Sequence, residues 1–470
     1  MKDLTYSPKT SGPAYWRSLD ELTETPEFRQ WVEKEFPEST LEAPSGQSRR
    51  DFVKIMGASF LLGGVGLTGC RRPEETIVPF SKMPQNYVHG VPQYFATSMP
   101  TRDSAVPLLA KSNDGRPTKV EGNPDLSFGK GGTDAFAQAS LLNLYDPDRS
   151  KKFLKEGNAS TRSAALGGLK AISSKFQGNK GKGLHFLVQP TSSPSRNRLE
   201  MMIREQLPEA KWHGYEPVDF RNASKASVKS FGKALRPMPH FDKAKVIFSL
   251  DNDLLGAEQE SYSHIRGYAD GRRLKETEDH HSTMNRLYVV ESLMTLTGSN
   301  ADHRLRVTSG QVFSVAAAMV EEIFNQIGNS DDDAGSPITA LRSSLREKAK
   351  AVAVDPKWIT ESVKDLVAHQ GECLVVAGYR QPESVHQLAT ALNVLLGNLG
   401  ETVSYVSDNS ISYDSLEALK GECDAGSVDT LVVLGGNPVY DAPADFDWKI
   451  TQRKAKTVVR LGYYDDETSD

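Results

Sequence analysis

The order of apolar and polar positions along the chain predicts an α/β protein. Short, continuous apolar segments alternate with longer segments in which apolar residues recur every three or four positions. The short segments are typical of strands buried on both faces of a parallel sheet, and the longer ones of amphipathic helices that cover such a sheet. Strands are predicted at 184–188, 246–250, 373–378, 429–434 and 456–461, and helices at 196–206, 312–327, 338–352, 362–370 and 384–396.

The same pattern divides the chain into regions. Strands alternate with helices from about residue 161 onward, and this alternation indicates βαβ units. We therefore expect an α/β fold with two parallel-sheet domains, a small β-hairpin region and an extended N-terminal arm. The expected regions are a leader at 1–47, an export signal at 48–70, an extended linker at 71–100, the small hairpin-containing region at 101–160, and the α/β domains at 161–308 and 309–470.

Turn residues carry the prediction for the small region. Asn113, Asp114 and Gly115 are typical of a hairpin turn, and we expect a short strand on either side of it. Residues 138–150 predict a short helix that ends at a turn containing Pro147. The linker that precedes the hairpin is rich in proline and lacks periodicity, so no regular element is predicted there.

An export signal is predicted near residue 50. Arg49 and Arg50 precede an apolar, Gly-rich run at 55–69, which is typical of a twin-arginine signal and too short for a comfortable membrane-spanning helix. The run ends in Leu-Thr-Gly before Cys70, which resembles a lipoprotein box in which the cysteine thiol is lipidated. We expect a lipid anchor on the outer (periplasmic) face of the cytoplasmic membrane. The alternative is a glycine-rich helix that happens to follow two arginines.

Composition excludes some classes of function. The net charge of −5 argues against a nucleic-acid partner, which would require a basic surface. No two of the three cysteines, Cys70, Cys373 and Cys423, have C-x-x-C spacing, and this excludes a self-contained four-thiolate iron–sulfur or zinc site. Cys373 and Cys423 could form a disulfide or remain two buried thiols.

Three motifs occur in order along the body of the chain. They are G-R-P-T-K-V-E-G-N-P at 115–124, Y-D-P-D-R at 145–149, and G-G-N-P at 435–438 directly after a predicted strand. Together they resemble the molybdopterin oxidoreductases, in which the last motif forms a loop that approaches a pterin dinucleotide. Glycines suit such a loop because they let backbone N–H groups come close to a pyrophosphate at the carboxyl end of a parallel strand.

Further segments narrow this resemblance. Residues 284–292, 297–305, 437–443 and 466–468 look like the large iron–sulfur/molybdopterin-like subunit of alternative complex III, a quinol:electron-acceptor oxidoreductase. The resemblance extends from about residue 10 to the end of the sequence. It implies that the molybdopterin-like half holds no pterin and no metal, and that the clusters lie in a downstream ferredoxin-like half. The sequence stops just after its last predicted strand, so we expect a shortened or split subunit.

Departures from the active relatives determine the functional hypothesis. Those enzymes commonly carry C-x-x-C-x-x-x-C ahead of the hairpin, whereas residues 94–110 contain no cysteine. We therefore expect a non-catalytic scaffold, without its own redox centre or cofactor, in a membrane-bound quinol:electron-acceptor oxidoreductase complex. The resemblance implies three partners: an iron–sulfur subunit or domain, a cytochrome c subunit and a polytopic quinol-binding membrane subunit.

An enzymatic alternative stays open. In it, the chain is a molybdopterin oxidoreductase that still binds molybdopterin guanine dinucleotide. The sequence predicts no catalytic residue and no metal ligand in this chain. The cofactor-binding residues of this alternative are Gly435, Gly436, Asn437 and Pro438.

Three other polar clusters allow both a chemical and a structural interpretation. The histidine pair at 280–281, beside acidic residues at 276–279, could bind a divalent metal or form a solvated loop. The Asp-His-Arg sequence at 302–304 could relay protons or hold a loop through an ion pair. The acidic residues Asp251 and Asp253 follow a strand, where ligands bind in open α/β sheets, but they could equally form a turn.

Overall fold

The computed structural model describes residues 25–26, 83–85, 87–102, 104–126, 129–273, 284–327, 345–349, 354–408 and 411–469. The chain separates into two compact units, residues 1–81 and 82–470. Of the first unit, only Thr25 and Pro26 are described, and every element below belongs to the second. The twin arginines Arg49 and Arg50, Cys70 and the histidine pair at 280–281 lie outside the described residues, so the interpretations placed on them stay predictions.

The secondary structure of the second unit alternates between strands and helices. The strands are β1 (Gln93–Pro100), β2 (Ala105–Asn113), β3 (Arg116–Gly122), β4 (Phe153–Lys155), β5 (Asn158–Ser160), β6 (Leu184–Val188), β7 (Lys211–Gly214), β8 (Leu235–Pro239), β9 (Val246–Leu250), β10 (Arg286–Glu291), β11 (His303–Arg306), β12 (Cys373–Ala377), β13 (Val403–Ser407), β14 (Thr430–Leu434) and β15 (Thr457–Leu461). The helices are α1 (Ala135–Ala139), α2 (Arg162–Gln177), α3 (Pro194–Gln206), α4 (Asn222–Phe231), α5 (Ser261–Arg272), α6 (Leu296–Ser299), α7 (Val312–Ile327), α8 (Pro356–Ala368), α9 (Glu383–Leu395), α10 (Leu416–Asp424), α11 (Pro438–Asp441) and α12 (Trp448–Gln452), and 3-10 turns occur at Ser140–Leu144, Ser309–Gln311 and Ala444–Phe446.

Two four-stranded parallel sheets form the body of the fold. Sheet I has the order β15-β14-β6-β7, and sheet II has the order β11-β10-β9-β12. Every residue of the central strands β6 and β9 is buried. Such strands consist mainly of apolar residues, because helices and loops cover both faces of a parallel sheet. The predicted α/β fold class is confirmed.

The packing of sheet II shows how both faces are covered. Phe248 belongs to a core formed with α7, α8 and α9, whereas its neighbour Ile247 belongs to a second core with Tyr268 of α5 and Val403 of β13. Successive side chains of a strand point to opposite faces, so one apolar strand contributes to two cores. Each fully buried side chain of this size stabilises the fold by about 1.5–3 kcal/mol.

The expected boundary between residues 308 and 309 does not separate the two sheets. In sheet I, β6 pairs with β14 through Leu184 and Thr430, and in sheet II, β9 pairs with β12 through Val246 and Cys373. Each sheet therefore combines strands from both expected domains. Neighbouring parallel strands are joined by crossovers of about a dozen residues or many more, so the apolar pattern identifies a strand without identifying its neighbour.

The small region contains one more strand than expected. The hairpin of β2 and β3 is confirmed, with Asp114 and Gly115 at positive φ, as a tight hairpin turn requires. Its neighbour β1 pairs antiparallel with β2 along eight residues, within the segment 71–100 for which only a linker was expected. Most β1 side chains are exposed, so no face is buried and the sequence has no alternation to detect. Two further antiparallel pairs, β4–β5 and β8–β13, complete the described sheets.

A helix that crosses a bilayer needs about 20 consecutive, mainly apolar residues. Among the residues with a described position, no helix combines the length and the hydrophobicity that crossing a membrane requires.

Candidate functional site

The carboxyl ends of the two parallel sheets adjoin each other. The segment after β7 reaches the segment after β12, where the ring of Phe220 stacks on the ring of Tyr379 with their centroids 4.3 Å apart. Asn222 continues this contact, because its Nδ2 donates to the carbonyl of Gln381 at 3.1 Å. Ligands of open α/β sheets bind at the carboxyl ends of the strands, so this junction is the candidate functional site.

Arg102 ties the small region to this junction. Its guanidinium lies over the ring of Phe220, with 3.9 Å between the guanidinium carbon and the ring centroid, and it forms an ion pair with Glu216 after β7. Glu216 also accepts from Nε2 of Gln189, which follows β6. A cavity of about 300 Å³ opens beside these residues and is also lined by Asp219 and by others of the same segments.

The charges around this cavity are largely paired. Asp219 accepts from Arg221 at 3.0 Å and from Lys225 at 2.7 Å. Burial raises the pKa of Asp219, but these hydrogen bonds outweigh it and hold the pKa below its usual range. With Glu216 paired to Arg102 as well, the lining presents ion pairs and no surplus of positive charge.

The G-G-N-P loop follows β14 in sheet I. Gly435 and Gly436 have φ values of 77° and 67°, a left-handed conformation that glycine adopts without strain. Their carbonyl oxygens point to Arg460 of β15, whose Nη1 donates to Gly435 at 2.8 Å and whose Nη2 donates to Gly436. The same guanidinium binds the carboxylate of Asp466 at 2.7 Å. The guanidinium of Arg460 is therefore directed to backbone oxygens and to a carboxylate.

Both polar atoms of Asn437 are used within the protein. Its Nδ2 donates to Oε2 of Glu467 at 2.7 Å, and its Oδ1 accepts from the hydroxyl of Thr468 at 2.6 Å. The hydrogen bond from Asn437 lowers the pKa of Glu467, which keeps that carboxyl ionised. Thr468 also accepts from the backbone N–H of Val439, and this closes the loop against residues 466–469.

These contacts do not fit a pterin dinucleotide. A pyrophosphate is bound by unengaged N–H donors and is favoured by positive charge at the loop. In this structure the amide donor of Asn437 and the guanidinium of Arg460 are engaged by Glu467 and Asp466, whose carboxylates add negative charge at the same place. The positive φ of the glycines matches the motif, but the side chains around it bind one another.

The described cysteines are not placed as metal ligands. Cys373 lies in β12 and donates to Oδ1 of Asn398 at 3.3 Å, and Cys423 lies in α10. Burial raises the pKa of each thiol to about 11, so both are protonated at neutral pH. They belong to different cores and form no disulfide with each other. Within the described ranges, no group of three or more His, Cys, Asp or Glu side chains is placed to hold a metal ion.

The acidic and basic residues of the Asp-His-Arg sequence at 302–304 form ion pairs that hold neighbouring elements together. Asp302 accepts two hydrogen bonds from Arg272 of α5, each 2.9 Å long, and another from the N–H of Leu287. Burial raises the pKa of Asp302, yet the bonds from Arg272 keep the pKa below its ordinary value. Arg304 binds the buried carboxylate of Glu291 at 2.6 Å. These ion pairs hold β10, β11 and α5 together.

The acidic turn after β9 is also structural. Asp251 has a φ of 58° and accepts from Nε2 of Gln381 at 2.8 Å. Asp253 accepts from the N–H and the hydroxyl of Thr297 and from the N–H of Ala257. A Cβ at Gly256 would lie 2.3 Å from Oδ2 of Asp253, so a larger residue there would have to displace this carboxylate.

Several residues of the junction were not identified from the sequence. Gln189 and Tyr379 lie just after strands that were predicted, so the carboxyl-end rule could have identified them. Arg102 and Phe220 carry no comparable signal, because their places depend on the tertiary contact between the two sheets.

The fold and the carboxyl-end loops place the chain in a class of α/β proteins with a molybdopterin-enzyme fold. Among solved structures, acetylene hydratase from Pelobacter acetylenicus aligns with a TM-score of 0.58, over 78% of this chain and 60% of that chain. The sequence identity is 11%, so this likeness shows the fold alone. The expected resemblance to the fold of molybdopterin oxidoreductases is confirmed.

One curated protein gives a more particular similarity. The chain is 32% identical over 110 residues to the menaquinone reductase, molybdopterin-binding-like subunit, of Nitratidesulfovibrio vulgaris. The match covers 23% of this chain and 16% of that protein, so it spans a small part of the relative's length. No family model matches the sequence. The similarity supports a relation to molybdopterin-oxidoreductase-like proteins, and the narrower resemblance to alternative complex III stays a prediction.

Proposed function

We propose that this chain is a non-catalytic scaffold subunit of a membrane-bound quinol:electron-acceptor oxidoreductase complex in an electron-transport chain. The similarity to a menaquinone reductase subunit supports the link to quinone chemistry. In this proposal the chain holds no redox centre, and electrons pass through its partners. The molybdopterin-like fold then serves as a large, rigid surface on which the partners assemble.

The engagement of the G-G-N-P loop is the observation that carries this proposal. Asn437 is held between Glu467 and Thr468, and Arg460 is held by Asp466 and by the carbonyls of the loop. Releasing these groups for a pyrophosphate would break five hydrogen bonds, two of them to carboxylates. The loss of these hydrogen bonds opposes the binding of a pyrophosphate at the loop.

The partners and the location of the complex form part of the proposal. The partners are an iron–sulfur subunit or domain, a cytochrome c subunit and a polytopic quinol-binding membrane subunit. Export through the twin arginines Arg49 and Arg50, and a lipid on Cys70, would place the chain on the periplasmic face of the cytoplasmic membrane. One acylated cysteine supplies affinity for the bilayer through the buried methylenes of its chains.

The proposal can be tested on the complex purified from membranes through a tag on the full chain. Molybdenum and tungsten are measured by mass spectrometry, and pterin is measured by the fluorescence of its oxidised form. We expect both to be far below one per chain, while iron and haem absorbance co-purify with the tag. Stoichiometric molybdenum or tungsten together with pterin would instead establish the alternative, a cofactor-binding molybdopterin oxidoreductase.

A variant of the loop separates the two functions further. Asn437→Asp replaces the donor to Glu467 by a second carboxylate and so disrupts the loop. The scaffold proposal predicts that iron and haem still co-purify with this variant and that quinol oxidation by the membranes is retained. A parallel loss of pterin, metal and quinol oxidation in Asn437→Asp would contradict it.

A further inference from the structure

The hairpin of β4 and β5 presents apolar and basic side chains at the surface. Every residue of β4 is exposed, and in β5 only Ser160 is partly covered. Phe153 and Leu154 keep 46% and 45% of their surface exposed. Large apolar side chains gain free energy on leaving water, so exposed neighbours of this kind are typical of a surface that another phase or molecule covers.

Helix α2 follows the hairpin directly and extends this apolar surface. Leu166 and Leu169 are 53% and 48% exposed. Phe176 follows Leu169 by seven residues and so lies on the same side of the helix, but it is buried in the core on one face of sheet I. The end of α2 therefore packs on the sheet, while the half next to the hairpin leaves its apolar residues uncovered.

The same segment is basic in an acidic chain. Residues 149–170 contain six basic residues and one acidic residue, Glu156, whereas the net charge of the whole chain is −5. Three exposed lysines flank the apolar pair of the hairpin, namely Lys151, Lys152 and Lys155. Within the part of the chain that the structure describes, none of the three forms a salt bridge. Two carboxylates precede the segment, and one of them, Asp146, accepts from the hydroxyl of Tyr464 at 2.8 Å. The lysines are available to an anionic surface.

Both faces of the hairpin are uncovered. The ribbon has two strands, with Phe153 opposite Ser160 and Leu154 opposite Ala159. Successive side chains of a strand point to opposite faces, so Phe153 and Leu154 lie on opposite sides of the ribbon. A flat protein surface covers one side of such a ribbon, whereas the interface of a bilayer surrounds whatever enters it. This geometry favours a lipid surface.

The type of basic residue leads to the same choice. Lysine is depleted in protein–protein interfaces, where arginine is enriched. Of the four basic residues at 149–155, three are lysines. At a membrane the long stem of a lysine lies along apolar material while its ammonium group stays at the headgroups, and each such charge adds attraction to anionic lipid.

We propose that the β4–β5 hairpin and the first half of α2 dock on the surface of an anionic lipid bilayer. Phe153 and Leu154 enter the headgroup region, and the flanking lysines bind the lipid phosphates. The contact goes beyond the scaffold proposal and does not require a lipid on Cys70. By itself it is weak and reversible, and it supplies the second signal that stable attachment of a singly anchored protein requires.

The test uses the full chain with Cys70→Ala, so that no acyl chain contributes. An environment-sensitive fluorophore on Leu154→Cys reports entry of the hairpin into lipid, and the same fluorophore on Val394→Cys, a half-exposed position of α9, is the control. The remaining cysteines are buried and escape labelling. Vesicles contain equal parts of phosphatidylglycerol and phosphatidylcholine, or phosphatidylcholine alone. We expect a blue shift and a rise in intensity only at position 154 with the anionic vesicles, and added salt should reverse both.

Removal of the lysine charges tests the electrostatic part. In the labelled chain, three lysines of the hairpin are replaced by glutamine: Lys151→Gln, Lys152→Gln and Lys155→Gln. Each lysine near an anionic surface contributes about fivefold to the affinity, so the triple variant should bind on the order of 100-fold more weakly. The control makes the same change of net charge at three exposed lysines elsewhere: Lys243→Gln, Lys348→Gln and Lys357→Gln. This control should bind like the labelled chain without lysine substitutions.

Removal of the aromatic side chain tests the apolar part. Phe153→Ser in the chain labelled at position 154 should weaken binding to the anionic vesicles by about fivefold, because about half of this side chain is free to be buried in lipid. Val394→Ser removes a half-exposed apolar side chain elsewhere and should leave the affinity unchanged.

Three results would overturn the proposal. The first is a fluorophore at position 154 that responds to neither kind of vesicle, which would assign the hairpin to a protein partner. The second is an equal response to anionic and neutral vesicles. The third is an equal loss of binding in the two lysine variants. If a variant does not fold, the comparison of the two kinds of vesicle on the labelled chain still decides the matter. The metal and pterin content of the complex does not depend on any of these results, so a failure here leaves the scaffold proposal to its own test.

Discussion

Single side chains decide what the G-G-N-P loop can bind. Gly435 and Gly436 take the backbone conformation that the motif predicts, yet Asn437 and Arg460 are engaged by Glu467 and Asp466. The glycine signal is local and could be identified from the sequence. The engagement of Asn437 depends on a residue thirty positions away, which no local pattern shows.

A pair of buried histidines links stability to pH. His185 of β6 and His213 of β7 lie side by side, with 3.2 Å between Nδ1 of the first and Nε2 of the second, and both side chains are buried. Burial, assisted by the neighbouring His213, lowers the pKa of His185 to about 4 from its ordinary 6.5. The unfolded chain therefore binds a proton at this residue at a higher pH than the folded chain does.

We predict that the free energy of unfolding falls as the pH decreases from about 6.5 to about 4. The contribution of His185 to this slope is at most about 1.4 kcal/mol per pH unit. The variant His185→Gln cannot titrate, so its unfolding free energy, measured by urea denaturation at several pH values, should decrease less steeply across this range. Identical slopes for the variant and the unaltered chain would contradict the assignment.

Two glycines, one in a crowded position and one in open space, provide a second prediction at the residue scale. A Cβ at Gly378 would lie 1.8 Å from the backbone oxygen of Asp251, whereas a Cβ at Gly168 in α2 would meet nothing within 4 Å. Gly378→Ala should lower the free energy of unfolding by about 1–3 kcal/mol or more, through overpacking. Gly168→Ala should raise it by about 0.5–1 kcal/mol, because alanine favours the helix. Thermal or urea denaturation of both variants measures the difference, and a neutral Gly378→Ala would be inconsistent with the close approach.

Elements with a strong burial pattern were predicted accurately from the sequence. Strands β6 and β9 and helix α7 have the predicted bounds, because each buries a regular set of its own side chains. Helix α8 begins at Pro356, six residues before the predicted start. Asp355 caps it by accepting from the N–H of Lys357, and proline occupies the first turn, a start signal that apolar periodicity alone does not include.

Elements with weak burial were not predicted. Strand β1 exposes most of its side chains, and β8 and β13 form a ribbon of two partly buried strands. Backbone pairing with a neighbour maintains these strands, and the identity of that neighbour is not encoded in the apolar pattern. The ribbon also lines a cavity of about 150 Å³, which therefore could not be inferred from the sequence.

Helix α7 should carry much of the stability of sheet II. Ile323 is fully buried against the core, whereas Ile327 at the end of the same helix is 40% exposed. We predict that Ile323→Ala lowers the free energy of unfolding by about 2–5 kcal/mol, since it leaves a cavity in the core. The matched variant Ile327→Ala should change it by about 0.5 kcal/mol or less. Equal effects of the two variants in urea denaturation would show that α7 does not pack as described.

At the scale of the whole molecule, the two parallel sheets share one junction. Arg102, Phe220 and Tyr379 bring residues from three parts of the chain into one stack, beside the cavity of about 300 Å³. The surrounding charges are largely paired within the protein, so the junction joins the two sheets. This arrangement agrees with the proposed scaffold role.

At the scale of the whole molecule, we predict that a lipid on Cys70 attaches the chain to the membrane. If Cys70 carries a lipid, Cys70→Ala should move the full chain from the membrane fraction to the soluble fraction, because the buried acyl methylenes provide the affinity. Cys423→Ala, a change of the same type in the buried core, should leave the chain in the membrane fraction. Immunoblots of fractionated cells, with mass spectrometry of the mature N-terminus, measure the outcome. Membrane attachment that persists in Cys70→Ala would remove the lipid anchor from the proposal.

The sequence by itself determined the α/β class, the hairpin at 113–115 and the strands that are buried on both faces. These features are local, because a buried strand or a tight turn is specified by the residues that form it. Only the tertiary structure decided that β6 pairs with β14 and β9 with β12, and that Glu467 and Thr468 take both polar atoms of Asn437. Such contacts join segments far apart in the chain, and their partners are selected by packing of the whole fold.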